Sequence, residues 1–156
     1  MPTEIEIDPS DLEAGIGELT AALDDELHRS LAISADMVER EAKLIAPRRT
    51  GALHDSIRAT PPTGSFASGT LESGVQADAP HASPVHDGSR PHVIRPIYGR
   101  ALAFPVGGQM VFARRVNHPG NAPQPFLDHA LESRAEDVLG ELGDAHDRAL
   151  ERTGFQ

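Results

Sequence analysis

The chain has no cysteine, so no disulfide can staple it, which is compatible with assembly in a reducing cytoplasm. It has no uninterrupted apolar run of about 18 residues, the length a membrane-spanning helix needs. Its first residues, Met1-Pro2-Thr3-Glu4, are acidic where a secretory signal starts basic. A soluble protein not exported by a standard signal is expected, with no membrane partner. Basic charge is scarce as well: 14 Lys and Arg stand against 24 Asp and Glu, a formal net charge of -10. Non-specific nucleic-acid binding needs a concentrated basic surface, and this balance disfavours it. Lysine is almost missing, since thirteen of the fourteen basic side chains are arginine, whose fork-shaped guanidinium suits pairing with carboxylates.

What charge there is lies unevenly. Residues 1–46 hold 12 acidic and 3 basic side chains, residues 47–123 hold 4 and 8, and residues 124–156 hold 8 and 3. A basic middle between acidic ends suggests self-complementary contacts between copies, although solvated helix faces also give acidic ends. The length of 156 residues suits a single domain over 1–156.

Thr3 to Ile7 alternates polar and apolar residues, so residues 1–8 are expected to form an N-terminal arm or short strand. Asp8-Pro9 is a helix start, with Asp8 as N-cap and Pro9 at the first helical position. Leu12, Ile16, Leu19, Leu23, Leu27, Leu31, Val38, Ala42 and Ile45 then recur at helical spacing, with an acidic outer face. Unbroken to Ala46, this helix would be about 57 Å long, against roughly 40 Å for a compact domain of this length. Gly15 and Gly17 are poor helix formers, so the helix is expected to break there, leaving a first segment to dock on a neighbour, or to kink.

The helical pattern stops at Ala46-Pro47-Arg48-Arg49-Thr50-Gly51-Ala52-Leu53-His54-Asp55-Ser56-Ile57, because Pro47 has no amide hydrogen and disfavours helix at Ala46. Thr50 can accept from amides of a new short turn and Gly51 permits a change of direction. Leu53 and Ile57 form an apolar clamp opposite Arg48 and Arg49. Residues 58–70 are rich in Pro, Gly, Ser and Thr and are expected to be a mobile loop in which Phe66 could anchor on another subunit.

Leu71 to Ala79 alternates as a strand does. The following loop carries His81, His86, Asp87 and His92, residue types that could hold zinc or iron in a metal-dependent hydrolase. The interspersed prolines and the lack of a helix-borne pair of ligands favour a tight turn at Asp87-Gly88, with Arg90 free for an ion pair. Val93–Ile97, Arg100–Phe104 and Gln109–Val116 are expected strands, the last two joined as a hairpin through Gly107-Gly108. Leu102 and Phe104 share a face, as do Met110 and Phe112, and these are expected against the long helix. Arg114 and Arg115 leave the last strand on opposite sides, so that one reaches a neighbour's acidic helix. His118 has no nucleophile paired with it in any recognisable motif, so no catalytic residue is assigned. Pro125 opens a second helix with Phe126, Leu127, Ala130, Leu131, Val138 and Leu142 as its stripe, weakened by Gly140 and Gly143; the tail over 144–156 can continue as helix through Ala149 and Leu150 and is expected to fray at Thr153-Gly154. The elements add up to an α+β protein: a long N-terminal helix and a C-terminal helix packed on a small, mostly antiparallel sheet of about four strands with a β-hairpin.

Three stretches, in order and spacing, resemble one family. They are the corner at 46–57, the loop Val85-His86-Asp87-Gly88-Ser89-Arg90-Pro91-His92, and His118-Pro119-Gly120 with Pro125-Phe126-Leu127. The pattern is similar to the neck, head-tail connector and tail-completion proteins of long-tailed bacteriophages, typified by the tenth gene product of HK-type lambdoid siphophages. The resemblance rests on a structural motif of Pro47, Thr50, Gly51, Leu53, Ser56, Gly88, His118, Pro119, Gly120, Pro125 and Phe126, together with Arg90. His86-Asp87 departs from it, since an aromatic residue or glutamate is often found there. The resemblance implies a structural virion protein with no cofactor and no metal, not an enzyme. It would form a hexameric ring at the head-tail junction after assembly in the cytoplasm of a bacterial host. Its partners would be copies of itself, adjoining neck rings (adaptor or stopper), the tail terminator or tail tube, and genomic DNA passing through the lumen without specific binding. Arg48, Arg49, Phe66, Arg90, Arg114 and Arg115 are the expected interface residues. Tail terminators and head-closure (stopper) rings share this size and general fold and stay open as alternatives, as does a small monomeric binding module. An acidic wall would let DNA slide by repelling its phosphates, so the N-terminal helix or the 58–70 loop is expected to face the lumen.

Overall fold

The structure, a computed structural model, describes residues 9–154; the expected N-terminal arm lies outside them. The chain divides into two compact units, one built from the residues up to Ala79 together with those from Phe126 on, the other from Pro80–Pro125. The architecture is α+β as expected, with a long helix near each end and small antiparallel ribbons between. The strands do not merge into one sheet, however. They form three two-stranded antiparallel ribbons, β1-β2, β3-β6 and β4-β5.

In the first unit, α1 (Pro9–Ile45, 37 residues) runs without a break at Gly15 or Gly17. It pairs with α4 (Phe126–Thr153). The helices are antiparallel, since Glu41 meets Arg134, Ser30 meets Glu141 and Asp25 meets Arg152. The buried face of α1 is a ladder of four-residue steps, Ala22, Glu26, Ser30, Ser34, Val38 and Ala42, and α4 answers with Ala130, Ala145 and Ala149. These are small side chains, so the helices approach closely, and Leu23, Leu27 and Leu31 are half-buried. The apolar stripe expected from the sequence therefore flanks the seam, and only Val38 and Ala42 of it are fully inside. The C-terminal stretch continues as helix past Leu150 and ends at Thr153, as expected, and it buries Ala145 and Ala149 completely.

Glu26, only 5 % exposed, accepts from Arg148 Nε at 3.0 Å. Arg148 also donates to Ser30 Oγ at 2.8 Å and Glu141 Oε1 at 2.9 Å. A buried carboxylate is tolerable only with such partners.

Residues 58–70, expected to be a mobile loop, are instead most of β1 (Ile57–Ser65) and the turn leading into β2 (Thr70–Ala77). The two prolines that argued against a strand sit in a β-bulge between Thr60 and Thr63, where a missing amide does no harm. Thr60 Oγ1 bonds both the amide and the carbonyl of Gly74, at 2.9 and 3.1 Å, and Ser73 Oγ donates to Thr60 O at 2.7 Å. Side chains thus take over the ladder where the prolines interrupt it. The turn is tied to α1 by the Phe66 amide, which donates to Asp24 Oδ1 at 2.5 Å.

Two outcomes test this packing. Ala149→Leu forces a branched side chain into the seam and should lower stability by about 1–3 kcal/mol, read as a shifted denaturant midpoint. Glu39 accepts from Lys43 Nζ and from the Ala59 amide, both at 2.6 Å. The Lys43 bond first, and the amide second, hold its carboxyl below the ordinary 4.5. Its stabilising contribution is complete above that value and is lost as the pH falls through the lower folded one. Melting temperature should therefore fall faster below pH 4.5 in the native chain than in Glu39→Gln, as measured by circular dichroism.

Candidate assembly surface

The corner between the long helix and the first ribbon is built as its residues dictate. The Ala46 amide makes the last helical bond, to Ala42 O at 2.9 Å, and Pro47 follows. Gly51 turns the chain with φ 86° and its carbonyl receives the Asp55 amide at 2.9 Å, opening the short helix α2 (Ala52–Ser56). Thr50 Oγ1 accepts from the Ala52 amide at 3.4 Å, and Ser56 Oγ donates to Leu53 O at 2.7 Å. Leu53 and Ile57 are both buried, although Ile57 opens β1 and is not part of the helix. The clamp fixes the corner. Arg48 and Arg49 stay exposed, beside the exposed Leu44 and Ile45, a pair of apolar residues that the helical stripe alone did not mark as surface.

In the second unit the other two signature stretches meet. Ser89 and Asn121 exchange backbone hydrogen bonds, each 3.0 Å, and the Gln124 amide reaches Val85 O at 3.0 Å. A Cβ on Gly120 would lie 2.1 Å from Ser89 O, and one on Gly88 2.8 Å from Asn121 O. Both positions also have positive φ, so glycine is required twice over. Next to this clasp, β3 (His92–Ile94) pairs with β6 (Val116–His118), and the His92 and His118 rings stack 5.0 Å apart. The expected Asp87-Gly88 turn is present, preceded by the short helix α3 (Ala82–His86).

The histidines of this loop do not gather. His86 Nδ1 sits 2.9 Å from Asp87 Oδ1, and this bond, with a second from Ser83, holds the Asp87 carboxyl below its ordinary value. His92 Nδ1 donates to Arg90 O at 2.9 Å, and His118 Nδ1 accepts from the Gly120 amide at 3.1 Å. No group of three potential metal ligands converges among the described residues.

The hairpin of β4 (Leu102–Val106) and β5 (Gln109–Ala113) closes through Gly107-Gly108, both at positive φ, as the tight turn demands. Its register pairs Ala103 with Phe112 and Pro105 with Met110, which share one face, and Phe104 with Val111 on the other. Met110 and Phe112 were expected against the long helix. The strands packed on α1 are β1 and β2, and Phe112 is 71 % exposed. Arg114 and Arg115 lie in the link between β5 and β6, where strand alternation no longer applies, and both are exposed, as are Arg90 and Phe66.

No helix among the described residues is long and apolar enough to cross a membrane. No curated protein and no solved structure matches the chain. A family described as "Bacteriophage HK97-gp10, putative tail-component" matches residues 10–88, which takes in the long helix, the corner, the first ribbon and the loop as far as Gly88. The match covers just over half of the sequence, and the chain belongs to this HK97 gp10-like family of phage tail components.

Proposed function

We propose that the chain is a structural subunit of the head-to-tail interface, a neck or tail-completion ring of six copies that joins the capsid connector to the tail. One observation carries this reading. Residues 80–125 bury only Ala82 among their apolar side chains, while Val93, Ile94, Ile97, Tyr98, Val106, Met110, Val111 and Phe112 are all exposed. An isolated two-stranded ribbon is marginal in water, and an exposed apolar surface of this kind marks contact with another protein. Such a unit is completed by neighbours. On this reading its work is mechanical.

Two surfaces supply the contacts. The corner offers Arg48 and Arg49 beside Leu44 and Ile45, an apolar patch with a cationic rim suited to an adjoining ring. The second unit offers Arg90, Arg114 and Arg115 around its ribbons, and Phe66 stands at the tip of the first ribbon. The acidic outer face of α1, with Asp36 exposed, would line a channel that repels phosphate and so lets DNA slide. Imaging the intact particle distinguishes a completion ring from a stopper or a tail terminator by its height in the neck.

Reversing Arg48 and Arg49 to glutamate tests the corner. Both side chains are exposed, so the helical circular dichroism spectrum and melting temperature should be unchanged. Heads and tails should then accumulate unjoined and plaque titre should collapse, as counted by electron microscopy and plating. Normal titres would remove the corner from the interface.

A further inference from the structure

Two features stand exposed, and they are complementary. The first is the start of α1. From Pro9 to Glu18 every residue but Gly15 is exposed, and burial against α4 begins only at Ala22. Yet Leu12 and Ile16, each more than half exposed, and Leu19 fall at i, i+4 and i+7, one continuous apolar stripe. Asp11, Glu13 and Glu18 stand beside it and make no ion pair among the described residues. The second is the outward face of the β4-β5 ribbon, where Met110 is 59 % and Phe112 71 % exposed next to Ala103 and Pro105. Arg100, Arg114 and Arg115 surround its open end, also without ion pairs among the described residues. The unit that carries this ribbon holds five arginines and one aspartate, a net charge of +4 in a chain of -10.

We propose that the first three turns of α1 in one copy dock on the Met110/Phe112 face of the β4-β5 ribbon of the next copy, apolar stripe on apolar face, with Asp11, Glu13 and Glu18 meeting Arg100, Arg114 and Arg115. This rests on the ring reading above and names the subunit contact within it. Each copy carries one acidic helix end and one basic ribbon, so the contact is heterologous: every copy gives its helix to one neighbour and its ribbon to the other. Repeated by a constant rotation, such a contact closes into a ring, whereas a two-fold contact would stop at a dimer. The carboxylates and guanidiniums lie at the rim, where charge steers encounter and sets register, and the leucine, isoleucine, methionine and phenylalanine fill the dry centre. Gly15, which borders the stripe, adds no side-chain bulk there, which allows close approach to a flat ribbon.

Because the native chain lacks cysteine, any disulfide in a variant reports only the residues introduced. Particles are assembled with the Ile16→Cys/Phe112→Cys chain in place of the native one, oxidised, and run on a denaturing gel without reductant. Both sites are exposed, so neither replacement opens a core. The expected result is loss of the single-chain band into a reducible ladder of linked copies. Each single substitution, and Ile16→Cys/Val111→Cys on the opposite ribbon face, should remain single chains. Particles that contain the chain but give only single-chain bands, including a single chain bridged to itself, would overturn the docking and leave the ring reading standing. Joined particles that lack the chain altogether would overturn the ring reading and the docking with it.

Discussion

Two helices can run side by side at short range only where the residues between them are small, and that constraint governs the larger unit. Ala22, Ser30, Ser34 and Ala42 on α1 face Ala130, Ala145 and Ala149 on α4, and the close approach they permit brings one charged residue, Glu26, into the seam. Its carboxylate is held there by Arg148, which also grips Ser30 and Glu141. The hydroxyl and the second carboxylate leave the guanidinium no freedom to swing away. Sliding α4 by one turn would break both bonds that Arg148 makes across the seam, to Glu26 and to Ser30, and leave the buried carboxylate with the longer contact to Arg29 at 3.3 Å. The network therefore fixes register, while the alanines set distance. Everything else in this unit, from the corner at Pro47 to the Asp24 tether of the first ribbon, is placed relative to that helix pair.

Much of this was legible in the sequence because local chemistry decides it. Pro47 ends the helix, Gly51 turns the corner, Gly107-Gly108 closes a hairpin, and Leu53 and Ile57 are buried, as their residue types require. What was not legible depends on contacts distant in the chain. A count of leucines locates the apolar side of α1 but not its seam, because close packing selects for small residues, which periodicity arguments pass over. Pro61 and Pro62 argue for a loop until Gly74, thirteen positions away from Pro61, supplies a partner for the Thr60 hydroxyl. The division of β-structure into three separate ribbons is equally invisible, since each strand pattern reports a face and not the identity of its neighbour. The residues expected at an interface stand apart from these: Arg48, Arg49, Phe66, Arg90, Arg114 and Arg115 are all exposed, but exposure is ordinary for arginine and does not single them out as contacts.

The smaller unit inverts the usual relation between polarity and position. Gly88 and Gly120 are partly covered at the clasp, while most of its large apolar side chains are outside. For a solitary protein in water that is an unfavourable distribution; for a piece of a larger wall it is economical, because the neighbour supplies the other half of the core. A family of phage tail components is a natural home for such a unit.

The clasp formed by Gly88, Ser89, Gly120 and Asn121 has one further consequence. It pins both ends of the intervening stretch at a single point, so the chain between them is a hanging loop whose anchorage does not depend on its length. Residues inserted at the Gly107-Gly108 tip would extend the reach of the arm without disturbing the knot from which it hangs. A lineage could adjust to a wider or narrower neighbour by altering that span alone, and a peptide tag placed there would leave the knot intact.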